Sequence, residues 1–158
     1  MMKHLLVGSL LLGLALPAAV AGSRGRATVI LSDNPGHRAL QEKYGWADAV
    51  VVDGTIYVSG VIAVPQVGDK GLEPAFTRAF ERLGATLKRA GARWEDVVEV
   101  RSYHTDPIAQ FDAIAAVKLR YIKPPHPAWT AVGTSGLLDK RGLAEISLVA
   151  RLSPARSK

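Results

Sequence analysis

Residues 49–60, AVVVDGTIYVSG, set two apolar, β-branched runs on either side of Asp53-Gly54. An Asp-Gly pair tolerates positive φ at both central positions of a two-residue turn, so the stretch predicts a tight β-hairpin. A turn this short fixes the register of both strands and commits the chain to an antiparallel sheet. The second run ends in Ser59-Gly60, where the missing Cβ lets another group approach the backbone closely.

The flanking segments fill in the rest of the fold. Residues 27–31 form a short β-branched run and read as a first strand. Residues 32–46 hold Pro35, Gly36 and Gly45 with no firm period and read as a loop with a helical turn at most. Residues 64–71 read as a loop. Over residues 73–90, Leu72, Phe76, Ala79, Phe80, Leu83, Leu87 and Ala90 recur at three- and four-residue spacing. Arg78, Glu81, Arg82, Lys88 and Arg89 take the other face, as an amphipathic helix requires. Pro74 suits its first turn and Gly91 its left-handed end, and Gly84 implies close packing against the sheet.

Residues 97–104 read as a strand. Thr105-Asp106-Pro107 then caps a second helix, with Ile108, Phe111, Ile114, Ala115, Leu119 and Ile122 expected on its buried face. Lys123-Pro124-Pro125 stops it. Residues 128–132 and 143–152 are the last strands. This order predicts one α+β domain over residues 27–152, with two helices on one face of a mixed sheet. Residues 22–46 supply its N-terminal strand and loop, and residues 153–158 a tail.

Residues 1–21 are excluded from the fold. Lys3, an apolar run over residues 5–16, Pro17 and Ala19-Val20-Ala21 follow the layout of a secretory signal peptide cleaved after Ala21. A membrane anchor is the rival reading, but the run is short for a bilayer. The expectation is a secreted or periplasmic product beginning at Gly22, with no stable membrane insertion after cleavage. What remains, about 137 residues, is one domain's worth of chain. There is no Cys, so stability must come from packing or association rather than disulfides. The formal net charge is +6, with basic residues gathered at the ends: Arg24 and Arg26, then Arg151, Arg156 and Lys158. Solvated termini account for that pattern more simply than a nucleic-acid surface, and no nucleic-acid partner is expected.

Four elements in order resemble the YjgF/RidA family (reactive intermediate deaminase A, also called the L-PSP endoribonuclease family). The hairpin through Ser59-Gly60 is similar to the family's "v-G-d-t-l-Y-v-S-G". Leu87 with Ala90-Gly91-Ala92, then Trp94-Glu95-Asp96-Val97-Val98, is similar to "L-x-x-A-G-a-s-l-d-d-V-V". Tyr103 and Thr105-Asp106 resemble its junction of strand and second helix. Pro127-Ala128 and Leu143-Ala144-Glu145-Ile146 resemble its "P-A-R-t" and "v-E-I-e-a-I-A" segments. The resemblance implies a chorismate-mutase-like α+β fold and a homotrimer, with ligand clefts between neighbouring subunits. It also implies hydrolysis of enamines and imines to 2-oxo acids and ammonia, with no metal or cofactor.

Several polar residues of that pattern are absent. The Arg after "P-A", a bidentate clamp for the substrate carboxylate, is Trp129, whose indole offers one N–H and no charge. The Gln after "S-G" is Val61, the second-helix Asn is Ala115, and the Tyr of "P-Y-S" is Trp46. If the usual turnover persists, another group must supply the clamp, and Arg101, Arg120 and Arg141 are then the first cations to mutate. Glu145 stands at the family's acidic position and is the candidate catalytic residue, holding the attacking water. The competing reading is a strand Glu paired with Arg101 or Arg141. Ser59 and Gly60 are candidate ligand contacts, or simply small residues at a strand end. Trp46 and Trp129 are candidate walls of an aromatic pocket, or interface packing. His37, His104 and His126 lack the close spacing of common zinc motifs, so no metal is expected.

Two functions follow. One is an exported hydrolase of the RidA type with altered specificity, its usual 2-imino-acid deaminase activity weak or absent. The other is a non-catalytic trimer that binds a small molecule in the cleft between subunits. A ribonuclease finds no His pair or basic groove to support it.

Overall fold

The computed structural model describes residues 23–152; the proposed signal peptide and the tail lie outside them. A 3-10 turn at Ser23–Arg26 leads into β1 (Thr28–Ile30), α1 (Pro35–Tyr44), β2 (Ala49–Val52) and β3 (Thr55–Ala63). Then come α2 (Glu73–Arg89), a second 3-10 turn (Trp94–Asp96), β4 (Val97–His104), α3 (Pro107–Tyr121), β5 (Ala128–Gly133) and β6 (Ala144–Arg151). The six strands form one sheet in the order β1-β2-β3-β6-β4-β5. Every pairing is antiparallel except β4 with β5, which α3 joins by a crossover. At the hairpin, Asp53 has φ 49° and Gly54 φ 74°, as the Asp-Gly turn demands.

α2 and α3 cover one face. Phe76, Phe80, Leu83 and Leu87 of α2 pack at 0 % exposure with Ile56, Val100, Ile114 and Ile146. Strand β6 shows the alternation that burial on one side imposes: Ala144, Ile146, Leu148 and Ala150 face the helices, Glu145, Ser147 and Val149 the other way.

Three expectations need correction. The segment read as a loop contains α1, so three helices are present among the described residues. Asn34 caps α1 by accepting from the His37 N–H at 3.0 Å, Pro35 opens it, and Gly45 ends it at φ 76°. It carries no apolar stripe because its one buried residue is polar. Gln41 accepts from Ser32 N–H at 2.8 Å and donates to Asp48 Oδ1 at 2.7 Å.

The buried face of α3 also differs from the expected stripe. Ile108 is 91 % exposed, and Phe111 and Leu119 are exposed too, whereas Gln110, Ile114, Val117 and Lys118 are buried. Gln110 and Lys118 find polar and aromatic partners inside, which masks the pattern. Finally, Gly84 packs not on the sheet but against the Trp94 indole, whose Cζ2 lies 3.1 Å from where a Cβ would stand.

Candidate functional site

β2 stops pairing at Ala49↔Val58, while β3 runs on to Ala63 with β6 on its other side. Past that point the β3 edge is uncovered. The register with β6 shifts between Val58 and Val61, so Ser59 and Gly60 form a bulge. A cleft of about 780 Å³ opens beside this edge, between α1, α2 and the loop before β6. Trp46, Ser59, Gly60 and Glu145 line it together with His37, Asp48, Arg82 and Arg89.

Glu145 and Gly60 explain one another. The Glu145 carboxylate lies across residue 60 so closely that a Cβ there would coincide with it. Glycine is required here by a neighbour's approach rather than by φ. The partners offered by the competing reading are engaged elsewhere: Arg101 pairs with Glu99 at 2.7 Å and Arg141 with Asp139 at 2.7 Å. Among the described residues Glu145 makes no ion pair, leaving its carboxylate available to the cleft.

Ser59 is less free than expected. Its hydroxyl donates to the Ala47 carbonyl at 2.6 Å, and its N–H donates to the Asp48 carbonyl at 2.9 Å. Toward a ligand it can therefore only accept. Trp46 stands at the rim, with the Tyr44 ring stacked at 6.2 Å and the His37 ring tilted at 5.9 Å. Asp48 ties the wall together, for its Oδ2 takes the Arg89 guanidinium at 2.6 Å while Arg89 also donates to the Leu31 carbonyl. Asp48, Arg82 and Arg89 were not singled out as site residues from the sequence; in α2, Arg82 and Arg89 read as an ordinary solvated face, and Asp48 lies between α1 and β2.

Trp129 does not join this cleft within the chain. It lies on the helix side of β5, stacked on Phe111 at 5.0 Å with the Lys118 ammonium 4.7 Å from its ring. Its Nε1–H donates to Ser102 Oγ at 3.0 Å, and that hydroxyl lies 2.9 Å from His104 Nε2. On the far side of the ring, His104 Nδ1 meets Gln110 Oε1 at 3.1 Å. Gln110 Oε1 can only accept, so Nδ1 carries the proton, and Ser102 donates to Nε2. This is a neutral imidazole. Burial pushes the His104 pKa down, opposed by the Gln110 hydrogen bond, and burial lowers the Lys118 pKa as well.

His104 thus belongs to a buried hydrogen-bonded chain, whereas His37 lies at the cleft and His126 is exposed. Among the described residues no group of three or more His, Cys, Asp or Glu comes together, and no helix is long and apolar enough to cross a membrane.

The nominated cations are accounted for too: Arg101 and Arg141 as above, and Arg120 paired with Glu73. Arg120 borders a separate depression of about 600 Å³ between α2 and α3. Arg78, which also borders it, is held by Asp69.

A mixed sheet with helices on one face, a bulged edge and an acidic strand residue folded over a glycine defines an α+β protein with a ligand cleft. The chain belongs to the YjgF/RidA family, whose model, described as Endoribonuclease L-PSP, matches residues 36–152. It is 35 % identical over 122 residues to the RutC family protein YjgH of Escherichia coli strain K12, covering 74 % of this chain and 90 % of that one. It is 31 % identical over 113 residues to the 2-iminobutanoate/2-iminopropanoate deaminase of Homo sapiens, covering 69 % and 81 %. The solved structure of YjgH superimposes with TM-score 0.66 at 30 % identity, covering 79 % and 95 %. Rv2704 from Mycobacterium tuberculosis, of the YjgF/YER057c/UK114 family, gives 0.68 at 22 % identity, covering 80 % and 99 %, a likeness of fold.

Proposed function

We propose that this protein is an exported hydrolase of the RidA type, acting on enamines or imines other than the smallest 2-imino acids. The observation that carries the reading is the Glu145 carboxylate, unpaired within the described chain and laid over Gly60 in the cleft. In the reaction, water adds to the C=N carbon of the iminium. Glu145 takes a proton from that water and returns it to nitrogen. The protonated carbinolamine then expels ammonia while its hydroxyl gives its proton to Glu145, which passes it to the departing ammonia, leaving the C=O group of a 2-oxo acid.

Trp129 supports the altered specificity. A charge-assisted hydrogen bond to a substrate carboxylate contributes about 1.5–3 kcal/mol, and no indole restores it. Tyr57, Tyr103 and Val132, all exposed on the sheet face away from the helices, support assembly as the trimer that the resemblance implies. The second reading, a trimer that binds without catalysis, is favoured by the same Trp129: its N–H is spent on Ser102, so it offers a ligand no polar group.

The test supplies imines in situ. An amino-acid oxidase releases 2-imino acids from alanine, 2-aminobutyrate, leucine and phenylalanine, and ammonia release is timed with and without the protein. Acceleration for the larger imines and little for the smallest supports the hydrolase. No acceleration for any of them favours the binding trimer.

A further inference from the structure

The cleft's polar groups sort into those that the fold uses and those that it leaves open. Asp48 and Arg89 hold each other, with Arg89 also 3.8 Å from Asp33, and Asp139 is held by Arg141. Two charges remain without an ion pair among the described residues: Glu145 on β6 and Arg82, exposed on α2. Arg82 lies one turn before Thr86 and two before Arg89, so all three share the stripe of α2 that walls the cleft. Beside them stands Trp46, 38 % exposed, with His37 and Tyr44 against it. A cavity of about 780 Å³ is larger than a three- or four-carbon acid fills, within the range of roughly 300–1,000 Å³ for small-molecule sites.

We infer that Arg82 is the anion clamp of this cleft, and that the ligand it selects is a carboxylate joined to a flat aromatic body that packs on Trp46. A guanidinium grips a carboxylate with two parallel hydrogen bonds. It is offered from α2, whereas Trp129, at the position of the family's Arg on β5, does not line this cleft within the chain. A cavity of about 780 Å³ has room for a ring beside the Trp46 wall, while Glu145 holds the water that attacks the reacting carbon. The inference rests on the cleft being the ligand site, as proposed above, and it names the substrate class.

Binding tests it without any need for turnover. Calorimetric titration of the assembled protein uses phenylpyruvate, the 2-oxo acid of the aryl series, with 2-oxobutanoate as the small acid and phenylacetamide as an uncharged ring. Phenylpyruvate is expected to bind more tightly than either. Arg82→Gln should weaken phenylpyruvate at least tenfold and leave phenylacetamide unchanged, and Arg82→Lys should recover part of the loss. Trp46→Leu should bring phenylpyruvate down to the level of 2-oxobutanoate. Arg120→Gln, outside the cleft, controls for general charge. Wild-type affinity in Arg82→Gln, an equal loss in Arg120→Gln, or no phenylpyruvate binding by the wild type would each overturn the inference. Arg82-dependent binding without imine turnover would sink the hydrolase alone, whereas turnover indifferent to Arg82 would sink the clamp alone.

Discussion

The buried cluster under α3 and the open cleft at the β3 edge treat their polar groups in opposite ways. On the helix side, Trp129, Ser102, His104 and Gln110 form an unbroken hydrogen-bonded chain that ends on Thr105, with Lys118 over the indole. The polar side chains of that chain are engaged with one another. At the cleft, Glu145 and Arg82 keep their charges unspent, and Gly60 gives up its side chain to make room. Satisfied polar groups hold a fold together; unsatisfied ones at a concave surface are available to a ligand. Reactive-looking residue types therefore do not locate the chemistry. Ser102, His104 and Gln110 have the composition of a catalytic relay, yet at 1 %, 0 % and 4 % exposure they reach no substrate.

That contrast can be broken at several points. The largest expected effect is on the helix side. His104→Leu takes the acceptor from the Ser102 O–H and the donor from Gln110 Oε1, although Ser102 Oγ still accepts from Trp129 and Gln110 still donates to Thr105. Each orphaned buried group costs about 1–3 kcal/mol, so a loss of roughly 2–4 kcal/mol is expected in urea unfolding. A change below 0.5 kcal/mol would show that the chain contributes nothing. Trp129→Ala removes the stack on Phe111 and one hydrogen bond. Fully buried Trp→Ala changes cost about 3–5 kcal/mol, and this half-buried one should cost about 2 kcal/mol. Ligand binding at the cleft should survive in whatever fraction stays folded.

Gly60→Ala acts the other way round. The new Cβ meets the Glu145 side chain from Cγ outward, so that side chain must swing aside as a whole while the backbone stays in place, and the melting temperature should fall only slightly. Activity on an accepted imine should fall about tenfold or more, near 1.4 kcal/mol. Unchanged activity would mean that the position of Glu145 over residue 60 is incidental.

The smallest effect is on pH dependence. With its folded pKa lowered by burial, His104 binds a proton more readily in the unfolded chain, where the ordinary value is about 6.5. Above that pH both states are neutral. Below it the unfolded chain protonates first, so stability falls as pH drops from about 6.5 toward the folded pKa. Melting temperatures at pH 7.5 and 5.5 should differ in the wild type and differ less in His104→Leu. An identical difference in both would assign the slope to other groups.

The sequence carried the fold well where burial imposes a period. The Asp-Gly turn, the α2 stripe and the alternation of β6 were all legible, because apolar side chains on one face announce it. α1 was not, since its buried residue is Gln41 and its remaining face is solvated. Nor was the inner face of α3, where Gln110 and Lys118 replace the expected apolar residues. At the site, Glu145, Ser59, Gly60 and Trp46 could be named from the family pattern, and the structure gathers them in one cleft. Trp129 could be named but not placed, because a strand position does not say which partners claim its indole. Arg82 was invisible: an Arg on the polar face of a helix looks the same whether it meets water or a cleft.

The most direct test of the account is one rate assay on two variants, Glu145→Gln and Trp129→Phe, using the larger 2-imino acids released by an amino-acid oxidase. Glu145→Gln keeps the shape and removes the general base, and should lower kcat/KM by about a hundredfold or more. Trp129→Phe keeps the stack on Phe111 and loses only the bond to Ser102, and should stay within about threefold of the wild type, less than 0.7 kcal/mol. Full activity in Glu145→Gln, or a collapse in a folded Trp129→Phe, would place the chemistry outside the cleft and contradict the account.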